Sequence, residues 1–295
     1  MENEILDKYR LAGKITAKAR DIGKDMIKDG VTYIEVVNAI EKYMVENGAR
    51  VAFPVNIAID NIAAHFTPKH DDKLVFQRGN VVKLDVGAHV NGYIADTALT
   101  IEVGTQTWRE LIKASQDALV VAIEMIRPGV NLGQVGKMVE QTITSYGFKP
   151  INNLTGHSLE RYKLHAGISI PNVEEYNTGK VKPGDVLAIE PFATNGVGKV
   201  KSWRNSNIYR LIKPKITKNK DANKLLQAIQ KYRRTLPFSE RFAYRFISRP
   251  DGALSKLRQV RAITMYPILI EKGDGIITQA EHTVIVTEDG CEVIT

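Results

Sequence analysis

Apolar residues recur at helical spacing from Ile5 to Ile27, where Leu11, Ile15, Ile22 and Met26 fall on one face, and again from Tyr33 to Met44. Thr32 precedes Glu35 at the spacing of a capping box, which defines the start of the second helix. Another pair is expected from Leu111 to Ile126 and from Leu132 to Tyr146, with Asn131 and Gln134 in the same capping relation. Between the pairs the period changes. Two β-rich runs, VVKLDVGAHV and YIADTALTIEV, flank Asn91-Gly92 within Val81 to Val103. Asn-Gly between such runs predicts a two-residue type I′ hairpin, because both residues tolerate positive φ. In that register Val90 faces Tyr93, Asp85 faces Ala98 and Asp96 faces Gly87. Asp85 and Asp96 are then diagonal neighbours on one side of the ribbon, about 7–8 Å apart at the backbone. One hairpin leaves two readings, solvated carboxylates on an open face or a pair gripping a divalent cation. Both aspartates sit within apolar runs, where unpaired charge is expensive to bury, and this argues against the first.

The pattern repeats. Lys28-Asp29-Gly30-Val31 matches Arg127-Pro128-Gly129-Val130, and Gly48 matches Gly147, at an offset of 99. His65 matches His165 at 100, and RGNVVKLD, ending at Asp85, matches PGDVLAIE, ending at Glu190, at 105. Two copies of one helix, helix, strand, histidine, carboxylate-strand unit are expected about a pseudo-twofold axis. Asp96 follows Asp85 by 11 residues, whereas QAEHTVIV, which resembles IADTALTI, brings Glu281 only 91 residues after Glu190. The excess of 80 is room for an inserted subdomain. Helical stretches over Ala222 to Arg233, Glu240 to Ile247 and Leu254 to Ile263, broken by Pro214, Pro237 and Pro250, make that subdomain mainly helical.

Composition sharpens this picture at three points. With 43% hydrophobic and 25% charged residues, no run long enough to span a membrane and no apolar leader in MENEILDKYR, the chain reads as a soluble, cytoplasmic protein. The single cysteine, Cys291, excludes a disulfide framework and a thiolate zinc cage, so a metal site must draw on His, Asp and Glu. The net charge of +8 is unevenly placed: Ser202 to Lys272 carries 17 Lys and Arg against 4 Asp and Glu, and the remainder is mildly acidic.

The duplicated carboxylates are Asp85, Asp96, Glu190 and Glu281, and His157 lies eight residues before His165. Four carboxylates and one imidazole form a hard donor set suited to two divalent ions about 3.5–4 Å apart with a shared, acidified water. The motifs FPVNIAIDNIAAHFTP, KLDVGAHVNGYIADTA, NLTGHSLERYKLHAGISIPN, AIEPFAT and YPIL followed by QAEHT cover nearly the whole chain. Together they resemble the type II methionine aminopeptidases in their short archaeal form, pita-bread metallopeptidases.

The resemblance implies an α+β pita-bread fold, a central curved antiparallel sheet covered by helices. The catalytic domain would be 1–201 with 273–295, and the insertion at 202–272, winged-helix-like, is what separates type II from type I. It implies metal ligands Asp85, Asp96, His157, Glu190 and Glu281 for two divalent ions (Co, Mn, Fe, Ni or Zn). Asp85 would chelate one ion, Asp96 and Glu281 would bridge both, and His157 with Glu190 would complete the other. His65 and His165 match the family's catalytic-pocket histidines, and Phe53, Leu164 and Tyr266 fall where the family lines its methionine pocket. The implied reaction is removal of N-terminal methionine from nascent chains with a small second residue, by a metal-bridging hydroxide, with Glu190 moving the proton. A monomer is implied as well. The basic insertion has two readings, a solvated helical surface or a contact to ribosomal RNA that charge reversal of Lys231, Arg233 and Arg234 would break.

Other histidines read as bystanders or supports. His70, in PKHDDK, reads as a solvated loop residue, His89 near the hairpin tip as structural or supporting, and His282 as facing away from Glu281. Two competing functions remain: a proline-specific peptidase with the same ligand logic, and a metal-free RNA-binding relative, which intact ligands disfavour.

Overall fold

The computed structural model describes every residue from Met1 to Thr295 except Asn177. The first half runs α1 (Asn3–Met26), α2 (Tyr33–Glu46), β1 (Arg50–Val51), β2 (Asn56–Ile59), β3 (Ile62–Ala64), β4 (Val81–Val90) and β5 (Tyr93–Glu102). The second repeats the order with α3 (Arg109–Met125), α4 (Leu132–Ser145), β6 (Lys149–Pro150), β7 (Thr155–Ser158), β8 (Ser169–Pro171), β9 (Val186–Ile189) and β10 (Phe192–Thr194). An excursion follows through β11 (Val200–Leu211), α5 (Lys220–Tyr232), β12 (Phe238–Ser239), α6 (Glu240–Tyr244), α7 (Asp251–Gln259) and β13 (Ile263–Glu271). The chain closes with β14 (Ile277–Gln279), β15 (His282–Val286) and β16 (Cys291–Val293).

The halves correspond in backbone detail. Gly30 and Gly129 have φ of 82° and 78°, and each donates its N–H to an extended segment further on, to Phe76 O at 2.9 Å and to Val181 O at 2.8 Å. A matching backbone bridge joins Thr32 to Val75 and Asn131 to Lys180. Each half buries its helix pair on its own sheet. Ile40, Met44, Ile57 and Leu84 are fully buried in the first core, and Leu111, Leu132, Leu187 and Val284 in the second. Truncating one such residue to Ala costs about 2–5 kcal/mol. In α1, a Cβ on Gly23 would stand 2.5 Å from Ile40 Cδ1 and 2.7 Å from Leu84 Cδ2, so glycine there lets α1 close against both α2 and β4.

The β4–β5 hairpin turns at Asn91 (φ 53°) and Gly92 (φ 94°), with Val90 paired to Tyr93, Asp85 to Ala98 and Asp96 to Gly87, as the spacing predicts. On its other edge β4 pairs with β1 and β2. The second-half sheet has the order β16, β15, β9, β7, β8. An antiparallel bridge between Ala98 and Glu281 joins the two sheets, flanked by threonines whose hydroxyls replace ladder groups. Thr100 Oγ1 donates to Gln279 O at 2.7 Å and accepts from Gln279 N at 2.8 Å. Thr283 Oγ1 does the same with Asp96 O and N.

Two expectations need correction. Asn131 caps α4, but its side chain accepts from Gly133 N and from the Thr178 hydroxyl, and exposed Gln134 completes no capping box. The true box is at Thr32 and Glu35. The helix expected from Leu254 to Ile263 ends at Gln259, because the chain reverses through Arg261 (φ 57°) into β13, and the one expected from Glu240 to Ile247 ends at Tyr244. The excursion carries strand as well as helix. Residues 202–272 leave along β11 and return along β13, which pair antiparallel with register slips near Asn205, and β13 continues onto β3. Its helices close over a core of Leu225, Ile229, Phe238, Leu254, Leu257 and Ile263. Among the described residues no helix is long and apolar enough to cross a membrane.

Candidate metal centre

The sheet brings carboxylates from both halves to one place. Asp85 lies on β4, flanked by Asn56 of β2 and Ala98 of β5; Asp96 lies two positions along β5 toward the hairpin turn. Glu281 precedes β15 and reaches the same face across the Ala98 bridge. Glu190 follows β9, and His157 lies on β7, paired to Ala188. His157 Nε2 is 3.6 Å from Glu190 Oε1 and 3.9 Å from Asp96 Oδ2. Asp96, His157 and Glu281 are buried and offer donor atoms within 4.8 Å of one another.

The electrostatics of this cluster favour a cation. Burial pushes the Asp85 carboxyl up to about 7, with a hydrogen bond to Asp96 acting in the opposite sense. Burial first, and repulsion among the carboxylates second, hold Asp96, Glu190 and Glu281 well above the usual carboxylate range. His157 is pushed down to about 3 by burial and by the adjacent His165, so its imidazole is neutral and free to ligate. Asp85 Oδ1, Asp96 Oδ1 and Asn56 Oδ1 are buried without a hydrogen-bond partner. Buried oxygens with unused lone pairs, grouped with a neutral imidazole, fit a hard or borderline divalent ion.

A cavity of about 260 Å³ opens over the cluster. All five residues proposed as ligands line it, as do His65, His165, Phe53, Leu164 and Tyr266. His65 is held in the left-handed region (φ 66°), with Nδ1 2.9 Å from Pro267 O and its ring edge-on to Tyr266 at 5.0 Å. The His165 ring stands 4.4 Å from that of His157. Desolvation lowers the pKa of both histidines, aided for His165 by Arg210. Phe53 packs its ring onto the hairpin where Gly87 lies opposite Asp96; a Cβ there would come within 2.1 Å of the ring.

Several residues escaped the sequence reading. Gln279 donates to Glu190 Oε2 at 3.2 Å and to Glu281 Oε2 at 3.4 Å, so one amide ties the two glutamates together. Its spacing of two from Glu281 on a strand was the available signal. Ile208 and Pro237, from the inserted segment, complete the cavity wall, and no periodicity marks them. Arg233, counted above among the surface charges, is buried and donates to Val51 O and Ala52 O; its reversal would test folding rather than RNA contact. Arg241 is likewise buried against Glu41 and Thr67. Among the remaining histidines, His70 is exposed but stacks on Tyr244 at 4.0 Å. His89 accepts from Gly92 N at 3.0 Å and braces the hairpin turn, and His282 contacts Thr295.

Comparison with known proteins identifies the family. The profile of metallopeptidase family M24 matches residues 7–288. The chain is 46% identical over 295 residues to a methionine aminopeptidase of Methanocaldococcus jannaschii, covering 100% of each. Among solved structures, it superposes on a thermophilic Arx1 with a TM-score of 0.86 at 19% identity, covering 100% of this chain and 91% of that one. A methionine aminopeptidase of Thermotoga maritima gives 0.74 at 22% identity, covering 100% and 98%. The two structural likenesses speak to the fold.

Proposed function

The chain belongs to metallopeptidase family M24, and from that premise we propose that it is a methionine aminopeptidase of type II, removing N-terminal methionine from nascent chains with a small second residue. The observation that carries the reading is the cluster of buried carboxylates from both halves, with Asp85 Oδ1 and Asp96 Oδ1 unpartnered, beside a neutral His157 in one cavity. Asp85, Asp96, His157, Glu190 and Glu281 would hold two divalent ions at the seam between the halves. Bound ions would supply Lewis acidity and lower the pKa of a coordinated water.

The chain's own groups do the rest. Glu190, with Oε1 beside His157 and Oε2 held by Gln279, is the carboxylate placed to take a proton at an oxygen and return it to the leaving amine. Neutral His65 must carry its proton on Nδ1, since a carbonyl oxygen only accepts, so Nε2 is left as an acceptor for a substrate N–H. Neutral His165 has no such constraint and is the better donor to an oxyanion. Phe53, Leu164 and Tyr266 give an apolar recess for the methionine side chain. Release of methionine from Met-Ala-Ser, with none from Met-Leu-Ser or from an Xaa-Pro peptide, is the expected outcome; cleavage of Xaa-Pro alone would replace this reading with the prolidase one.

Residues 202–272 are assigned to an insertion subdomain, with 1–201 and 273–295 as the catalytic domain of a cytosolic monomer. Its exposed cations give a docking surface for ribosomal RNA. Salt should weaken ribosome association, and reversing exposed Lys231 and Arg234 should abolish it. Association indifferent to both would remove that role.

A further inference from the structure

Arg233 sits at the end of α5, where the inserted segment turns back toward the body. Its guanidinium donates from Nη1 to Val51 O at 2.6 Å and from Nη2 to Ala52 O at 3.0 Å and to Pro237 O. The first two carbonyls immediately precede Phe53, and both Phe53 and Pro237 line the cavity. One buried side chain therefore ties together two walls of the pocket that belong to segments far apart in sequence. The rest of the turn is docked as well. Arg234, at φ 56°, lies over the Tyr162 ring at 4.3 Å, the Thr235 hydroxyl donates to Tyr162 O, and fully buried Leu236 packs in one cluster with Phe53 and Leu164.

We infer that Arg233 is a positioning residue that sets the width of the side-chain pocket, and with it the preference for methionine over other N-terminal residues. The inference rests on the aminopeptidase reading. A planar guanidinium serves three carbonyls from one rigid fork, which the single nitrogen of lysine does not reproduce. One extra or missing methylene in an apolar pocket is worth about 10–200-fold in discrimination, so selectivity depends on where the pocket walls stand.

Arg241 supplies the control. It fastens the same segment to the body through Thr67, Pro68 and Glu41, none of which lines the cavity. The experiment compares wild type, Arg233→Lys, Arg233→Met and Arg241→Met on X-Ala-Ser peptides with methionine, norleucine, leucine or phenylalanine first, with metal binding followed by calorimetry. For both Arg233 variants the KM for Met-Ala-Ser should rise about tenfold with kcat within about threefold, and the preference for Met over Leu should fall about tenfold. Metal affinity should hold, and Arg241→Met should keep the wild-type preference. Unchanged preference in the Arg233 variants, or an equal shift in Arg241→Met, overturns the inference. Should the Arg233 variants fail to fold, Leu236→Ala, which loosens the same turn without removing a buried charge, must lose preference; retention there overturns it. Absence of methionine release by the wild type with every metal would instead strike the aminopeptidase reading, and the inference with it.

Discussion

Asp96 and Glu281 are diagonal neighbours across the Ala98–Glu281 bridge that joins the two halves of the sheet. Their partners Asp85 and Glu190 come from matching strands of those halves, β4 and the end of β9. The donor set exists because the sheet closes, and each half alone carries an incomplete site.

Removing Glu281, a proposed ligand, should therefore be worse than removing its support. Glu281→Ala should lose metal in calorimetry and fall to background turnover. Gln279→Ala, which frees Glu190 and Glu281 from their common amide, should retain both ions with affinity or activity lower by about 10–100-fold. Full activity in Glu281→Ala would contradict the proposed ligand set.

In the metal-free protein the four clustered carboxyls should contribute less to stability as pH rises, while the buried histidines, whose pKa values are lowered, act in the opposite sense. A carboxyl whose pKa is raised by folding stabilises the chain below its ordinary pKa, and that contribution is lost as pH climbs through the folded value. For Asp85 the window runs from the ordinary 3.8 to about 7, and the other three carboxyls shift the same way. Divalent ions bind the ionised form, so the gain in Tm on adding Mn²⁺ should be larger at about pH 8 than at about pH 5. Differential scanning fluorimetry at both pH values checks this.

His165→Ala should keep its metal and lose kcat by about a hundredfold or more, the cost of one oxyanion donor. Calorimetry and steady-state kinetics on the same preparation separate the two effects.

Gly87→Ala should place a methyl group into the Phe53 ring and cost about 1–3 kcal/mol from overpacking. Part of that strain should appear as a raised KM, because Phe53 is a wall of the cavity.

Much of this site could be read from residues alone, for physical reasons. Asn91-Gly92 sets the hairpin register, which sets the diagonal of Asp85 and Asp96, and the offsets of 99 and 105 lead from those to Glu190. What stayed hidden depends on tertiary contact. VKSWRNSNIYRL is mostly polar and half exposed, so β11 shows no alternation and owes its strand to pairing with β13. Charge counting treats Arg233 and Arg241 as surface, whereas carbonyls and a carboxylate brought by the body draw both inside. Ile208 and Pro237 reach the cavity only because the insertion folds back over it.

The most direct test of the central claim is methionine release from Met-Ala-Ser by metal-stripped protein titrated with Co²⁺ or Mn²⁺. Release that appears with metal and scales with its binding is the predicted result. A folded, metal-saturated protein that releases no methionine would contradict it.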